Sequence, residues 1–324
     1  MTEEEGLILA YIFNGQGGGK KISWEEVSQW TPEQGVLWMH LNYTCPTVKE
    51  WLCGDSGLDG ISCKAMLTKE SRPRTVITPD GLLVFLRGVS LNHQEAPEDL
   101  VSIRIWLDNN RIITTGRHKL QSIHFIEEEL QSERGPKTPT QFLSRLTCNM
   151  LNHIQEVVES VDEEADDLIE AVLAHDSRIL RPMITDVRHK CTVIRRYLAP
   201  QKEALNKLYR DSTPFLTEED RIYAREADDR IVRYLEALDS ARERAMIIQE
   251  ELTNRLSEQM NNRIYVLSVV SVIFLPLAFV TGLLGINVGG IPGAHCSWAF
   301  WAIAGGLVGM LGTAFWVSKK KNWM

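Results

Sequence analysis

Residues 264–318 read IYVLSVVSVIFLPLAFVTGLLGINVGGIPGAHCSWAFWAIAGGLVGMLGTAFWVS and contain no Lys, Arg, Asp or Glu. This run divides into two apolar segments, 264–284 and 298–317, separated by a Gly-rich loop, 285–297. About 20 apolar residues in a helix that rises ~1.5 Å per residue cover the ~30 Å hydrocarbon core of a bilayer. Both segments reach that length. The sequence therefore predicts a two-helix transmembrane hairpin that follows a large polar region.

The charges around the hairpin predict its orientation. Arg255 and Arg263 precede the first segment, residues 318–324 form a basic tail, and the loop has no Lys or Arg. Positive charge marks the cytoplasmic ends of transmembrane helices. The chain starts with the acidic stretch MTEEE, which lacks the basic region of a signal peptide. We therefore expect a multi-pass protein of the cell inner membrane, with its N- and C-termini in the cytoplasm and its loop outside.

Residues 1–134 predict a cytoplasmic α/β domain. Runs rich in β-branched and aromatic residues indicate strands, and short helices are expected around 24–30 and 47–52. The strand-like runs are 7–13, 36–42, 75–78, 82–90, 101–107 and 111–115.

Residues 139–263 predict long cytoplasmic helices. Apolar residues recur at intervals of three and four from Phe142 to Val161, which indicates one buried helix face within a helix spanning 140–174. A second helix is expected over 178–198, with Pro200 bending the chain before a short continuation. A third is expected to begin at the capping residue Thr217 and to run into the first transmembrane segment. The predicted fold is thus α+β, and a helix of that length implies a bundle or an oligomer.

Composition excludes some functions. The net charge of −8 argues against a nucleic-acid partner. Five of the six cysteines precede residue 264, where a cytoplasmic location predicts reduced thiols, and no C-x-x-C pair indicates a zinc finger. We find no phosphate-binding loop and no nucleophile elbow, so neither an enzyme nor an ATP-driven pump is expected.

The tripeptide Gly285-Ile286-Asn287 stands where the first segment ends. The carboxamide of Asn287 offers a neutral oxygen, and a ring of such groups from several subunits can hold a hydrated divalent cation loosely enough to release it. The alternative is an ordinary turn, which Gly and Asn both favour.

The stretch 274–287, FLPLAFVTGLLGIN, resembles the CorA superfamily of divalent-metal transporters, which end their first span with a proline and then Gly-Met-Asn. Here Ile286 replaces the methionine. The segments 287–293, 70–74 (ESRPR) and 195–201 (RRYLAPQ) resemble the zinc-transporting ZntB branch. Magnesium transporters of the superfamily often carry an acidic residue after their Met-Pro, where this chain has Pro292-Gly293. This difference argues against a magnesium role.

The resemblance implies a funnel-shaped homopentamer whose first span lines a central pore and whose long helices form the funnel wall. It implies uptake of Zn²⁺, or of other divalent cations, together with protons, in a lipid bilayer and without a resident cofactor. Zn²⁺ efflux and a Mg²⁺ or Co²⁺ channel of the same fold remain alternatives. A membrane-anchored scaffold or signalling protein is the alternative from another class.

Helical spacing back from Asn287 predicts the residues that line the pore. Small or polar residues along this stripe leave room for water, and bulky apolar ones can gate by dewetting. The alternative is that the stripe serves only helix packing. The step before Ser271 falls on Leu267 or Ser268. Taking Leu267, we call this set the pore stripe: Asn261, Ile264, Leu267, Ser271, Leu275, Ala278 and Gly282.

Three further features have both a functional and a plain interpretation. His295 and Cys296 in the loop are candidate zinc ligands or incidental loop residues. The acidic stretch 156–170 either concentrates cations or is simply a solvated helix face. Small residues of the second segment, from Ala302 to Gly312, are expected to pack against the first segment.

Overall fold

The computed structural model describes residues 6–69, 72–90, 100–117, 120–174, 177–211, 215–285 and 296–320. Its contacts divide the chain into two compact units, Met1–Gln249 and Glu250–Met324. The first unit holds one sheet and most of the helices, and the second holds the apolar segments.

The first unit is built on a seven-stranded sheet with the order β2-β1-β3-β7-β6-β5-β4. Among these strands β3 and β7 pair in parallel, and the other neighbours pair antiparallel. All six predicted strand runs contain a strand, whereas the short edge strand β2, with the sequence GKK, gave no strand pattern. The strands are β1 (Leu7–Phe13), β2 (Gly19–Lys21), β3 (Leu37–Asn42), β4 (Arg74–Thr78), β5 (Gly81–Gly88), β6 (Val101–Leu107) and β7 (Arg111–Gly116).

One face of the sheet is covered by α1 (Trp24–Ser28), α2 (Pro46–Gly54) and α3 (Gly60–Leu67). Side chains alternate along β3, so Leu37, Met39 and Leu41 join this core. The sequence predicted α1 and α2 but missed α3, whose eight residues are too few to show a helical period.

The structure corrects the expectation that the cysteines of the first unit are all reduced. Cys53 of α2 and Cys63 of α3 form a disulfide, and their Cα atoms lie 5.5 Å apart. The ten-residue separation gave no sign of this pairing, because the turn between two short helices brings the sulfurs together.

The other face of the sheet packs against α4 (Gln121–Gln131), α5 (Pro139–Ala174) and α6 (Ser177–Arg210). The ring of Phe142 in α5 lies 4.8 Å from that of Trp38, centroid to centroid. The Thr75 hydroxyl donates to the Ala204 carbonyl over 2.8 Å, which ties β4 to α6. The predicted buried face of α5 is therefore confirmed, and the structure adds that its Phe142 end packs on the sheet.

Helix α6 continues through Pro200, where the sequence predicted a bend after a helix ending at 198. Proline removes one backbone hydrogen bond from a helix. Buried residues on both sides of it, including Leu198 and Leu205, keep the helical face packed.

Helix α7 (Glu218–Leu284) begins in the first unit and ends in the second. Its start agrees with the prediction, because the Thr217 hydroxyl accepts from the Asp220 amide over 3.2 Å and donates to the Asp220 carboxylate. The second unit also contains α8 (Ala299–Lys320).

Candidate functional site

The last third of α7 carries the pore stripe. This helix is long and apolar enough to cross a membrane, and its most apolar stretch is almost entirely exposed in the single chain. In α8 the apolar run among the described side chains covers Ala299–Thr313. Both helices thus present apolar surface that the described part of one chain does not cover. Lipid or further subunits can cover such a surface.

All seven residues of the pore stripe are exposed in the single chain. Val269, Ile273, Leu277 and Val280 of the same helix are partly covered. At roughly 100° per residue, this covered set lies on the side of α7 opposite Ser271 and Leu275. The stripe therefore faces away from the side of the helix that the chain covers for itself.

The hydroxyl groups of this segment are satisfied by their own helix. Ser271 Oγ donates to the Leu267 carbonyl over 2.9 Å, and Ser268 Oγ donates to the Ile264 carbonyl over 2.8 Å. Because each hydroxyl hydrogen is used in this way, the oxygen lone pairs stay available as acceptors. On the exposed stripe, Ser271 therefore offers an oxygen suited to a hydrated cation.

The candidate filter is only partly described. Helix α7 ends at Leu284, where the Gly285 amide donates to the Thr281 carbonyl over 2.9 Å. A Cβ on Gly285 would stand 3.2 Å from that carbonyl oxygen, so the tight helix end favours glycine. Ile286, Asn287 and His295 lie outside the described residues, and their roles stay predictions.

Of the candidate metal ligands, only Cys296 lies among the described residues. Cys296 is exposed, and no group of three or more His, Cys, Asp or Glu residues within the described ranges can hold a metal ion. Another cysteine, Cys191 of α6, is buried, and burial raises the pKa of its thiol to about 11. Because the thiolate is the form that binds metal, this residue is a poor ligand.

Part of the acidic stretch of α5 is paired with basic side chains. Arg244 of α7 forms ion pairs with Asp162 and, over 3.3 Å, with Asp166. Lys190 of α6 lies 2.8 Å from Glu164. Burial lowers the pKa of Lys190, but its carboxylate partners outweigh this effect and raise it. The sequence did not predict these contacts, which give the stretch a role in joining three helices.

The glycines of α8 are open in the single chain. A Cβ on Gly305, Gly306, Gly309 or Gly312 would meet no atom within 4 Å. The expected packing of these residues against the first segment is therefore absent from the described part of the chain.

Comparison with known proteins decides the family. The family described as "CorA-like Mg2+ transporter protein" matches residues 33–320. The chain belongs to the CorA family. The divalent cation transporter CmaX of Pseudomonas aeruginosa is 35% identical, with 99% of this chain and 98% of that protein covered. The zinc transport protein ZntB of Yersinia enterocolitica is 32% identical, with 98% and 96% covered.

Solved structures agree with this CorA assignment. The full-length CmaX structure superposes with a TM-score of 0.85 at 33% identity and covers 99% of each chain. The CorA magnesium transporter of Methanocaldococcus jannaschii has a TM-score of 0.82 at 16% identity, which shows the shared fold alone. The protein is thus a divalent-cation transporter and not an enzyme. The scaffold alternative receives no support from this family.

Proposed function

We propose that this CorA-family protein carries zinc ions across the inner, or plasma, membrane through the central pore of a homopentamer, by proton-coupled uptake. Its termini lie in the cytoplasm and its loop lies outside. The choice of zinc is supported by the ZntB relatives, whose names specify zinc transport, and by the lack of acidic residues in the loop.

The observation that carries the proposal is the exposed pore stripe. The small and polar residues of the pore stripe lie opposite the covered face of α7, so they are free to face neighbouring subunits. A closed ring of five copies can enclose that stripe and exclude lipid from it. The ring then lines a path with the Ser271 oxygens and with the apolar side chains of Ile264, Leu267 and Leu275, which gate by dewetting.

The two ends of this path have different roles. The Asn287 carboxamides would hold a hydrated Zn²⁺ at the outer mouth through neutral oxygens, which bind weakly enough for the ion to pass inward. Residues 264–318 contain no carboxylate, so no buried acid can carry the coupled proton within the membrane. The proton then enters as a hydrated ion with the metal or by way of His295.

Flux measurements test the direction, the metal and the coupling. Purified protein in proteoliposomes is given zinc-65 outside, with and without an acidic exterior, and with Mg²⁺ or Co²⁺ as competitor. Faster zinc accumulation under the inward proton gradient is expected. No zinc-65 accumulation above that of protein-free liposomes would overturn uptake, and equal rates with and without the gradient would overturn coupling.

A broader metal range is the second candidate. The relative of 35% identity is named only as a divalent cation transporter. Strong inhibition of zinc uptake by equimolar Mg²⁺ or Co²⁺ would favour this candidate over zinc selectivity.

The filter assignment has a matched pair of variants. Asn287→Ala removes the proposed oxygen ring and is expected to lower zinc flux at least tenfold, which corresponds to about 1.4 kcal/mol on the barrier. Asn262→Ala removes the same group next to the pore stripe and should leave flux within about twofold, because surface substitutions change little. Wild-type flux in correctly assembled Asn287→Ala protein would contradict the filter assignment.

A further inference from the structure

We propose that the Cys53–Cys63 disulfide is a site of thiol–disulfide exchange with small cytoplasmic thiols of the glutathione class. It rests on the cytoplasmic location of the first unit proposed above, whereas the transport step itself plays no part in it. The Cα atoms of Cys53 and Cys63 lie 5.5 Å apart, which is within the range that a disulfide spans. Disulfides in reducing compartments are rare, and those present usually have a redox function.

The two cysteines differ in access. Cys53 at the end of α2 is exposed, whereas Cys63 in the first turn of α3 is 2% exposed. Cys63 packs in the apolar core with residues such as Val48, Leu52 and Met66. An incoming thiolate can therefore approach the sulfur of Cys53 and not that of Cys63.

The exchange is balanced in two steps. The thiolate of the small thiol attacks the Cys53 sulfur, forms a mixed disulfide there and breaks the bond to Cys63, which leaves as a thiolate and takes a proton from water. A second small thiol then attacks the small-thiol sulfur of the mixed disulfide and releases Cys53. The protein disulfide is reduced, and two small thiols are oxidised to their disulfide. The reverse reaction, with that small disulfide as the oxidant, closes the bond again.

Contacts that do not involve sulfur also hold the turn between α2 and α3. The Ser56 hydroxyl donates to the Leu52 carbonyl, and Arg111 Nη1 donates to the Ser56 carbonyl over 2.8 Å. Asp59 caps α3 by accepting from the Ile61 amide over 3.0 Å. The neutral Cys63 thiol suits its apolar surroundings, because a buried cysteine behaves as a small hydrophobe. The reduced pair thus stays in position to close again.

The experiment follows each cysteine of the full-length protein in glutathione buffers that range from fully reduced to fully oxidised. Samples are quenched with acid, alkylated and mapped by peptide mass. Cys53 and Cys63 are expected to lose their free thiols together and reversibly as oxidised glutathione increases, with the transient glutathione adduct on Cys53. Thiols that stay free in oxidised glutathione would overturn the proposal, as would a bond that resists excess reduced glutathione in the folded protein.

Single variants test the order of attack. Cys63→Ala leaves the exposed thiol without its partner and should accumulate a stable glutathione adduct at Cys53. Cys53→Ala leaves the buried thiol, which should react at least about tenfold more slowly until the protein is unfolded. Equal rates in the two folded variants would overturn the proposed entry at Cys53. If a variant fails to fold, the position of the adduct in the wild-type protein decides the same point.

Discussion

At the residue scale, Leu275 and Leu277 share one chemistry but lie on opposite faces of α7. Leu275 belongs to the pore stripe and is 74% exposed, whereas Leu277 belongs to the partly covered set. Positions two residues apart are rotated by roughly 200° around the helix axis, so these two leucines point to opposite faces of α7. The pair therefore distinguishes a conducting surface from a packing surface.

We expect Leu275→Ala to raise cation leak several-fold, because it widens an apolar constriction that gates by dewetting. Leu277→Ala serves as the control and should leave leak unchanged. Uptake of zinc into proteoliposomes, followed with an internal fluorescent indicator, measures both variants. If Leu277→Ala leaks as much as Leu275→Ala, the pore stripe is assigned to the wrong face.

A second residue-scale feature is Asp228, a 5% exposed carboxyl in α7. Burial raises its pKa above the ordinary value, while Lys202 and a hydrogen bond from Asn206 act in the opposite direction. A raised folded-state pKa means that the stability from this group is fully present below the unfolded pKa of 3.8 and is lost as pH rises through the folded value. At neutral pH the ionised Asp228 therefore destabilises the fold.

Asp228→Asn is expected to raise the Tm at pH 7 by on the order of 2–4 °C, as a gain of about 1 kcal/mol would. The gain should shrink as pH falls toward 4, because the wild-type carboxyl then becomes neutral as well. Thermal unfolding of the two proteins at several pH values checks this. A constant or growing difference at low pH would contradict the assigned cause.

At the element scale, charged side chains join α5, α6 and α7 within the first unit. Arg244 of α7 pairs with two aspartates of α5, and its side chain is 25% exposed. Arg233, also in α7, pairs with Glu226 of the same helix over 3.5 Å, and both side chains are mostly exposed. Partly buried pairs between helices resist screening better than exposed pairs do.

Arg244→Ala should lower the free energy of unfolding by about 1 kcal/mol, because two aspartates, each more than a third exposed, lose their partner. Arg233→Ala should change it by less than about 0.5 kcal/mol. Denaturant unfolding of both variants gives the comparison. Similar losses would show that the three helices are held by apolar packing alone.

At the scale of the whole molecule, apolar surface along α7 remains uncovered in one chain. Exposed apolar side chains occur in both of its units, for example Ile222 and Ile247 in the first and Leu267 and Phe279 in the second. The second pair lies in the predicted transmembrane segment, where lipid or further subunits can cover it, whereas the first pair lies outside that segment. Association with further copies is the arrangement that the CorA family resemblance implies.

We expect a homopentamer as the main species in mild detergent. Mass measurement of the purified protein by light scattering, with the detergent contribution subtracted, checks this. A monomer or dimer as the sole species would contradict the proposed pore. If folded Arg244→Ala protein lost the pentamer, the ion pairs of Arg244 with Asp162 and Asp166 would also have a role at a subunit contact.

Local patterns in the sequence predicted much of the fold. All six strand runs, the start of α7 at Thr217 and the buried face of α5 follow from neighbours within a few residues, and the structure has each of them. The family was also readable, because the FLPLAFVTGLLGIN stretch is contiguous. Short helices such as α3 and α4 were missed, since their few residues carry too little periodicity to separate them from loops.

By itself the sequence determined that this chain has two apolar segments of transmembrane length, an α/β region before them and no charge between 264 and 318. These are properties of composition and spacing along the chain. Only the tertiary structure decided that Cys53 meets Cys63, that Arg244 neutralises Asp162, and that the pore stripe lies opposite the covered face of α7. The physical reason is that pairing and burial depend on which residues, far apart in the chain, the fold brings together. A local sequence pattern does not specify those long-range contacts.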